Sequence, residues 1–324
     1  MPGKSSRGSV SGLLIYLAIA IAAVAAAVAQ PTAQFINILT AGTGGVFYPL
    51  GGALSNILAA RIPGSKPSVQ STKGSVENLN LLQQRRGEIA FVQGDALAFA
   101  WAGDADAGFK NKVDKVRGIT AIYPSYIHIV ALKESGIRTI ADLKGKRLSV
   151  GASRSGTELD TRRLLEAAGI TYKDLGEAVY LPFEESVDLM KNKQLDATFQ
   201  VGGLGIPALR EIANAFSVVF VEVPPEVVAK AGVPYATGVI PKGTYRGQET
   251  DVQTATLLNY VVARADLPTD LVYAITSAIF DSTRELVAAH PAAAEIKLER
   301  ALDGMPVPLH PGAEKYFKEK GLIK

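Results

Sequence analysis

Thr40-Ala41-Gly42-Thr43-Gly44-Gly45-Val46-Phe47-Tyr48-Pro49-Leu50-Gly51-Gly52-Ala53 joins a strand-like run at 36–39 to a segment, ending near residue 61, whose apolar residues recur at helical spacing. A strand that hands over to a helix through glycines is the elementary unit of an α/β fold. The glycines let the backbone reach positive φ and bring its N–H groups close to a bound group, while the helix N-terminus adds partial positive charge. The turn therefore reads as an anion cradle, with a plain strand-to-helix turn as the alternative. It completes neither common phosphate motif. A P-loop needs a lysine and a hydroxyl residue after its last glycine, where Val46 and Phe47 stand, and G-x-G-x-x-G needs glycine at Phe47.

The same alternation continues outward. Strand-like runs fall at 68–72, 89–93, 118–123, 127–132, 147–151, 178–181, 197–200 and 218–221, with helical stretches at 75–84, 155–168, 184–193 and 203–213. Strands separated by helices predict parallel-dominated sheets flanked by helices. After Pro268 the pattern turns helix-rich, with helices expected at 269–289, 292–302 and 312–320. A second strand-to-helix turn, Leu148 to Leu159, carries Ser153-Arg154-Ser155-Gly156-Thr157. Its hydroxyls and free N–H groups can cap a helix or chelate a carboxylate.

The first thirty residues carry a compartment signal. Lys4 and Arg7 precede an apolar run over 13–29, and Ala27-Val28-Ala29 has the small-x-small form of a cleavage site. The expectation is a signal peptide over 1–29 and a periplasmic mature chain, with a retained N-terminal membrane anchor as the alternative. The chain has no cysteine, which excludes disulfides and a lipid-modified cysteine. A net charge of +3 with scattered Lys and Arg leaves no nucleic-acid footprint. Roughly 295 residues after cleavage suffice for two lobes. The chain is expected to cross between them near 123–128 and near 235–241. Lobe I then comprises 34–123 plus 239–324, and lobe II comprises 124–238. A ligand in such an architecture lies between the lobes, beyond the C-terminal ends of the strands.

The run from Ile38 to Pro49, then Thr72-Lys73-Gly74-Ser75-Val76-Glu77-Asn78-Leu79, then Ile89-Ala90-Phe91-Val92-Gln93-Gly94-Asp95, and Asp142-Leu143-Lys144-Gly145-Lys146-Arg147 with the later Ser155-Gly156-Thr157, closely resembles the TAXI family. These are extracytoplasmic solute receptors of tripartite ATP-independent periplasmic (TRAP) transporters. The resemblance runs in order across nearly the whole mature chain. It implies a two-lobed periplasmic-binding-protein fold, type II like, that closes on a small organic acid such as a glutamate-like amino acid or a dicarboxylate. It implies delivery to the membrane permease subunits of a TRAP transporter.

The ligand-binding candidates are Gly42, Thr43, Gly44, Gly45 and Tyr48 in the first turn, Thr72 and Ser75 in the next, and Gln93 and Asp95 after the third strand. The second lobe adds Ser153, Arg154, Ser155, Gly156 and Thr157, with Phe199 and Gly202 as pocket walls. Each has a plainer role as well: core packing for Tyr48, helix capping for Ser75, Asp95 and Ser155, and a solvated side chain for Arg154. No cofactor or metal is expected, and the chain is expected to be a monomer. Catalysis lacks its parts. There are three histidines, His128, His290 and His310, none with metal-ligand spacing, and Ser155 replaces the last glycine of a nucleophile elbow at Gly151-Ala152-Ser153-Arg154. A receptor for a membrane signalling protein and a bilobal enzyme stand as the alternative functions.

Overall fold

The computed structural model describes residues 34–324. The expected leader and its cleavage site lie outside the described residues. The chain begins with β1 (Gln34–Leu39), α1 (Phe47–Arg61), β2 (Ser65–Gln70), α2 (Ser75–Gln83), β3 (Ile89–Gln93) and α3 (Gly94–Ala102). It continues through β4 (Val116–Leu132), β5 (Arg147–Ser149), α4 (Gly156–Ala167), β6 (Glu177–Val179), α5 (Phe183–Lys191), β7 (Ala197–Gly202) and α6 (Pro207–Ala215). Next come β8 (Val218–Val221), α7 (Pro225–Ala231), β9 (Ala236–Ile240) and β10 (Val252–Arg264), then α8 (Thr269–Asp281), α9 (Thr283–Ala289) and α10 (Pro311–Glu319).

All ten strands join one mixed sheet in the order β2-β1-β3-β10-β4-β7-β5-β6, with β8 also on β4 and β9 also on β10. The flanks are parallel: β1 pairs β3, and β5 pairs both β6 and β7. The centre is antiparallel, because β4 and β10 run the length of both halves and pair each other. Each carries one half of the sheet on one end and the other half on the other end. Tyr126 to Ala131 of β4 pair β7, whereas Val116 to Ala121 pair the second half of β10. Asn259 to Ala263 of β10 pair β3, and Val252 to Thr256 pair β9.

Two expectations change here. The runs at 118–123 and 127–132 are one 17-residue strand, since Pro124 sits where the partner strand shifts register and needs no N–H from it. The run at 235–241, expected to make the second passage, holds β9, which pairs the first half of β10. β10 and β4, paired with each other, both extend across the two halves of the sheet.

At the break in their register, between Leu258 and Tyr260, the fully buried Asn259 repairs the ladder. Its Nδ2 donates to the Tyr123 carbonyl at 2.9 Å, and the Ser125 hydroxyl bonds its Oδ1 at 3.1 Å. Asn259→Ala leaves these groups unpaired in the core and should cost about 1–3 kcal/mol. Urea unfolding of the variant checks this, with a lower midpoint expected at unchanged slope.

The C-terminal region is less regular than expected. The helix at 269–289 is broken at Ser282 into α8 and α9, and 292–302 holds only 3₁₀ turns at Pro291–Glu295 and Leu298–Arg300. Tertiary contacts override helix propensity there. Ala293, Ile296 and Ala301 are buried, and the Ala301 carbonyl accepts the Ala121 N–H of β4 at 2.7 Å.

Candidate functional site

A cavity of about 100 Å³ opens between the halves of the molecule, above the central strands. Four helices begin at its wall. Val46 and Phe47 come from the start of α1, Gly74 and Ser75 from α2, Ser155, Gly156 and Thr157 from α4, and Pro182 and Phe183 from α5. The first N–H groups of an α-helix have no acceptor within it, and each helix start carries partial positive charge. Four starts on one small cavity surround it with partial positive charge. The rest of the wall is largely apolar, with Tyr123 and Val201 on the central strands. Lys73 adds a cation at the rim, where its side chain is exposed.

Of the residues expected from sequence, Gly42, Gly45, Thr72, Ser75, Gln93, Ser155, Gly156, Thr157 and Gly202 line this cavity. Most of their hydroxyls are already committed. Thr72 Oγ1 donates to the Thr40 carbonyl at 2.9 Å, the Gln93 N–H donates to Ser75 Oγ at 3.0 Å, and Ser155 Oγ caps α4 by accepting the Glu158 N–H at 3.0 Å. Among the described residues, no protein hydrogen bond claims the Thr157 hydroxyl.

The other candidates lie elsewhere. Tyr48 is 37% exposed outside the cavity; Phe47 takes the wall position, its ring 5.6 Å from that of Phe91 and 6.4 Å from that of Tyr123. Phe199 is buried in the core. Ser153 is exposed, and so is Arg154, whose φ of 67° turns its carbonyl to accept the Glu77 N–H of α2 at 3.0 Å. Arg154 thus helps cap the facing helix through its backbone, and its guanidinium stands outside the cavity. Asp95 is fully buried behind the wall.

Thr43 and Gly44 do not line the cavity either; they close its mouth. The Gly44 N–H donates to Glu184 Oε2 and the Thr43 hydroxyl to Glu184 Oε1, both at 3.3 Å, and the Ala208 N–H donates to the Gly44 carbonyl at 3.1 Å. The turn that reads as an anion cradle therefore holds a carboxylate of the same chain, from the start of α5. A Cβ on Gly44 would lie 2.9 Å from Glu184 Oε2 and 3.2 Å from the Glu184 nitrogen. Glycine is needed here for the approach of α5. Side-chain proximity across 140 residues leaves no local signal, so Glu184 reads in sequence only as a helix-dipole residue.

Gly156 has a comparable reason. A Cβ there would fall 1.4 Å from Gln93 Oε1, because the Gln93 side chain crosses from β3 to the start of α4. Gln93 Nε2 donates to Asp160 Oδ2 at 2.9 Å. Val201, on the cavity wall, was not among the expected residues. In the central strands, His128 is fully buried; its Nδ1 faces the carbonyls of Tyr126 and Gln200 at 3.0 and 3.2 Å, and its Nε2 faces the Tyr245 hydroxyl at 3.0 Å. That hydroxyl also accepts the Gly205 and Ile206 N–H groups, so it donates to a neutral imidazole. Burial holds the His128 pKa down at about 4. Among the described residues, no group of three or more His, Asp or Glu side chains could hold a metal, and no helix is long and apolar enough to cross a membrane.

A model of the NMT1-like family matches residues 38–321. Among solved structures, PhnD1 from Prochlorococcus marinus in complex with methylphosphonate is similar at 12% identity, with 90% of this chain and 100% of that one covered and a TM-score of 0.55. A protein described as a periplasmic transporter is similar at 13% identity, over 91% and 94% of the two chains, with a TM-score of 0.54. The alkanesulfonate-binding protein SsuA from Xanthomonas axonopodis pv. citri, bound to MOPS, is similar at 15% identity over 84% and 86%, with a TM-score of 0.50. These similarities establish the two-lobed periplasmic-binding-protein fold.

Proposed function

The chain belongs to the NMT1-like family, and from that premise we propose that it is an extracytoplasmic solute receptor that closes on a small organic acid and passes it to a membrane permease. The convergence of four helix N-termini on one cavity carries this reading. The acid group lies against the starts of α2 and α4, where the backbone N–H groups and the Thr157 hydroxyl supply donors. Its carbon skeleton packs against Val46, Phe47, Phe183 and Val201. PhnD1 and SsuA, which share the fold, are described with a phosphonate and with a sulfonate buffer in place, both anions.

Closure takes place about the paired strands β4 and β10, near the register break at Asn259, with Glu184 and the Gly44 turn meeting at the mouth. The motif resemblance supports a TRAP-type permease as the recipient and a periplasmic location for the receptor. Mass spectrometry of the solute that co-purifies with the mature chain identifies the acid, and a chain that carries none and binds no small acid overturns the reading. Thr157→Val, which keeps the shape and removes the hydroxyl, should then weaken binding of that acid about tenfold or more, as for a lost hydrogen bond to a charged group. Ser155→Ala instead removes a helix cap and should lower stability by about 1 kcal/mol. Calorimetric titration beside thermal melting separates the two.

A further inference from the structure

Behind the cavity wall, Asp95 and Asp160 meet where the two halves of the molecule close on each other. Asp95 opens α3 on the side of β3, and Asp160 belongs to α4 on the side of β7. Both are fully buried, and one hydroxyl bridges them: the Tyr235 oxygen lies 3.2 Å from Asp95 Oδ2 and 2.9 Å from Asp160 Oδ1. Gln93, which lines the cavity, donates its remaining amide hydrogen bond to Asp160 Oδ2. The Ala96 N–H serves Asp95 Oδ1 at 2.6 Å.

The hydrogen count decides what this cluster holds. Tyr235 has one proton and lies within hydrogen-bonding distance of both carboxyl groups, so it donates to one, and the other can bond its oxygen only by donating a proton of its own. Two carboxylates bridged by one hydroxyl and out of water cannot both be charged. The missing hydrogen is a proton shared between the acids. The surroundings do not replace it. Arg163, also on α4, is drawn to Asp104 just beyond α3, at 3.3 Å, and stacks on Phe99 at 4.0 Å. Glu158, two residues before Asp160, is held by Arg162 and by the Tyr172 hydroxyl. Glu226 and Lys230 of α7, which packs on α4, are exposed, and Lys73 points to the rim.

We propose that Asp95 and Asp160 form a proton site that exists only in the closed receptor, so that the solute is captured together with one proton and both leave when the lobes part. This rests on the small-acid receptor reading. On closure the two carboxylates, hydrated while apart, take one proton from solvent and bury it between them. On opening each returns to water and the proton departs. Burial, with Asp95 beside it, holds the Asp160 carboxyl well above the ordinary carboxylate range, and burial also raises Asp95, in keeping with one retained proton.

Calorimetry on the full chain at pH 7.5 tests this, with L-glutamate, succinate and pyruvate as probes in buffers of different ionisation enthalpy. A bound probe should take up about one proton, and its affinity should fall by up to about tenfold per pH unit. Asp160→Asn keeps a donor toward Asp95 but cannot titrate, and it should lose the proton uptake whatever its affinity. A probe that binds the unmodified chain with no proton uptake overturns the shared-proton site and leaves the receptor reading standing. If no probe binds at millimolar concentration, the small-acid reading fails instead. The proton site is then decided by carboxyl ¹³C NMR on the unmodified full chain without a probe: one aspartate still protonated above pH 7, and its signal lost in Asp160→Asn, supports it, whereas ordinary titration of every aspartate overturns it.

Discussion

Gly156→Ala is expected to abolish solute binding, although alanine is the better helix former by about 1 kcal/mol. The added Cβ would fall 1.4 Å from Gln93 Oε1 and 2.9 Å from Ser75 Oγ, so Gln93 must leave its place. That breaks the bonds its amide makes, donating to Asp160 Oδ2 and accepting from the Ser75 hydroxyl, and leaves buried polar groups unpaired, at about 1–3 kcal/mol each. Because Gln93 and Gly156 meet across the cavity, the cost falls on the closed form. An effect of about 3 kcal/mol there reduces affinity more than a hundredfold. Titration with the co-purifying acid checks the variant, and circular dichroism confirms that it is folded. Affinity equal to that of the parent chain, or better in line with helix propensity, would show that Gln93 does not set the closed geometry.

Acid is expected to weaken the fold through His128. Its imidazole is neutral in the folded chain, with a pKa of about 4, against 6.5 for the unfolded group. Below pH 6.5 the unfolded chain therefore binds a proton that the folded chain refuses, and stability falls as pH drops, levelling off below about 4. The difference of roughly 2.5 units corresponds to about 3 kcal/mol. The Asp95–Asp160 pair acts in the opposite sense, since a carboxyl whose pKa is raised in the folded state favours folding at low pH and loses that contribution as pH rises. Urea unfolding between pH 7 and 4 separates the two when His128→Asn is compared with the parent chain. The His128 variant should start less stable at pH 7 and lose less on acidification. An equal loss in both chains would place the acid sensitivity in other groups.

Much of the site was open to sequence reasoning because it is built from local signals. Glycines and hydroxyls at strand-to-helix junctions mark helix starts wherever they occur, so Gly42, Gly45, Ser75, Ser155, Gly156 and Thr157 could be named and do line the cavity. Tyr48 and Arg154 show where such reasoning stops. Both sit in the right turns, but one residue of helical rotation puts Phe47 on the wall in place of Tyr48, and a positive φ points Arg154's carbonyl, not its guanidinium, across the cleft. Sequence spacing places a residue within a turn. It does not fix the direction of its side chain.

The sequence by itself determined the alternation of strands and helices, the lack of any disulfide, strand-to-helix turns that line the cavity, and α1 to its ends. Each depends on neighbours a few residues apart. Only the tertiary structure decided that the sheet is continuous, that β10 pairs strands of both its halves, and that Glu184 occupies the glycine turn. It alone joined Asp95 to Asp160 through Tyr235. Those features arise from groups separated by 65 to 140 residues or more in the chain. Burying them together forces pairings, shared protons and glycine contacts that no local window of sequence contains.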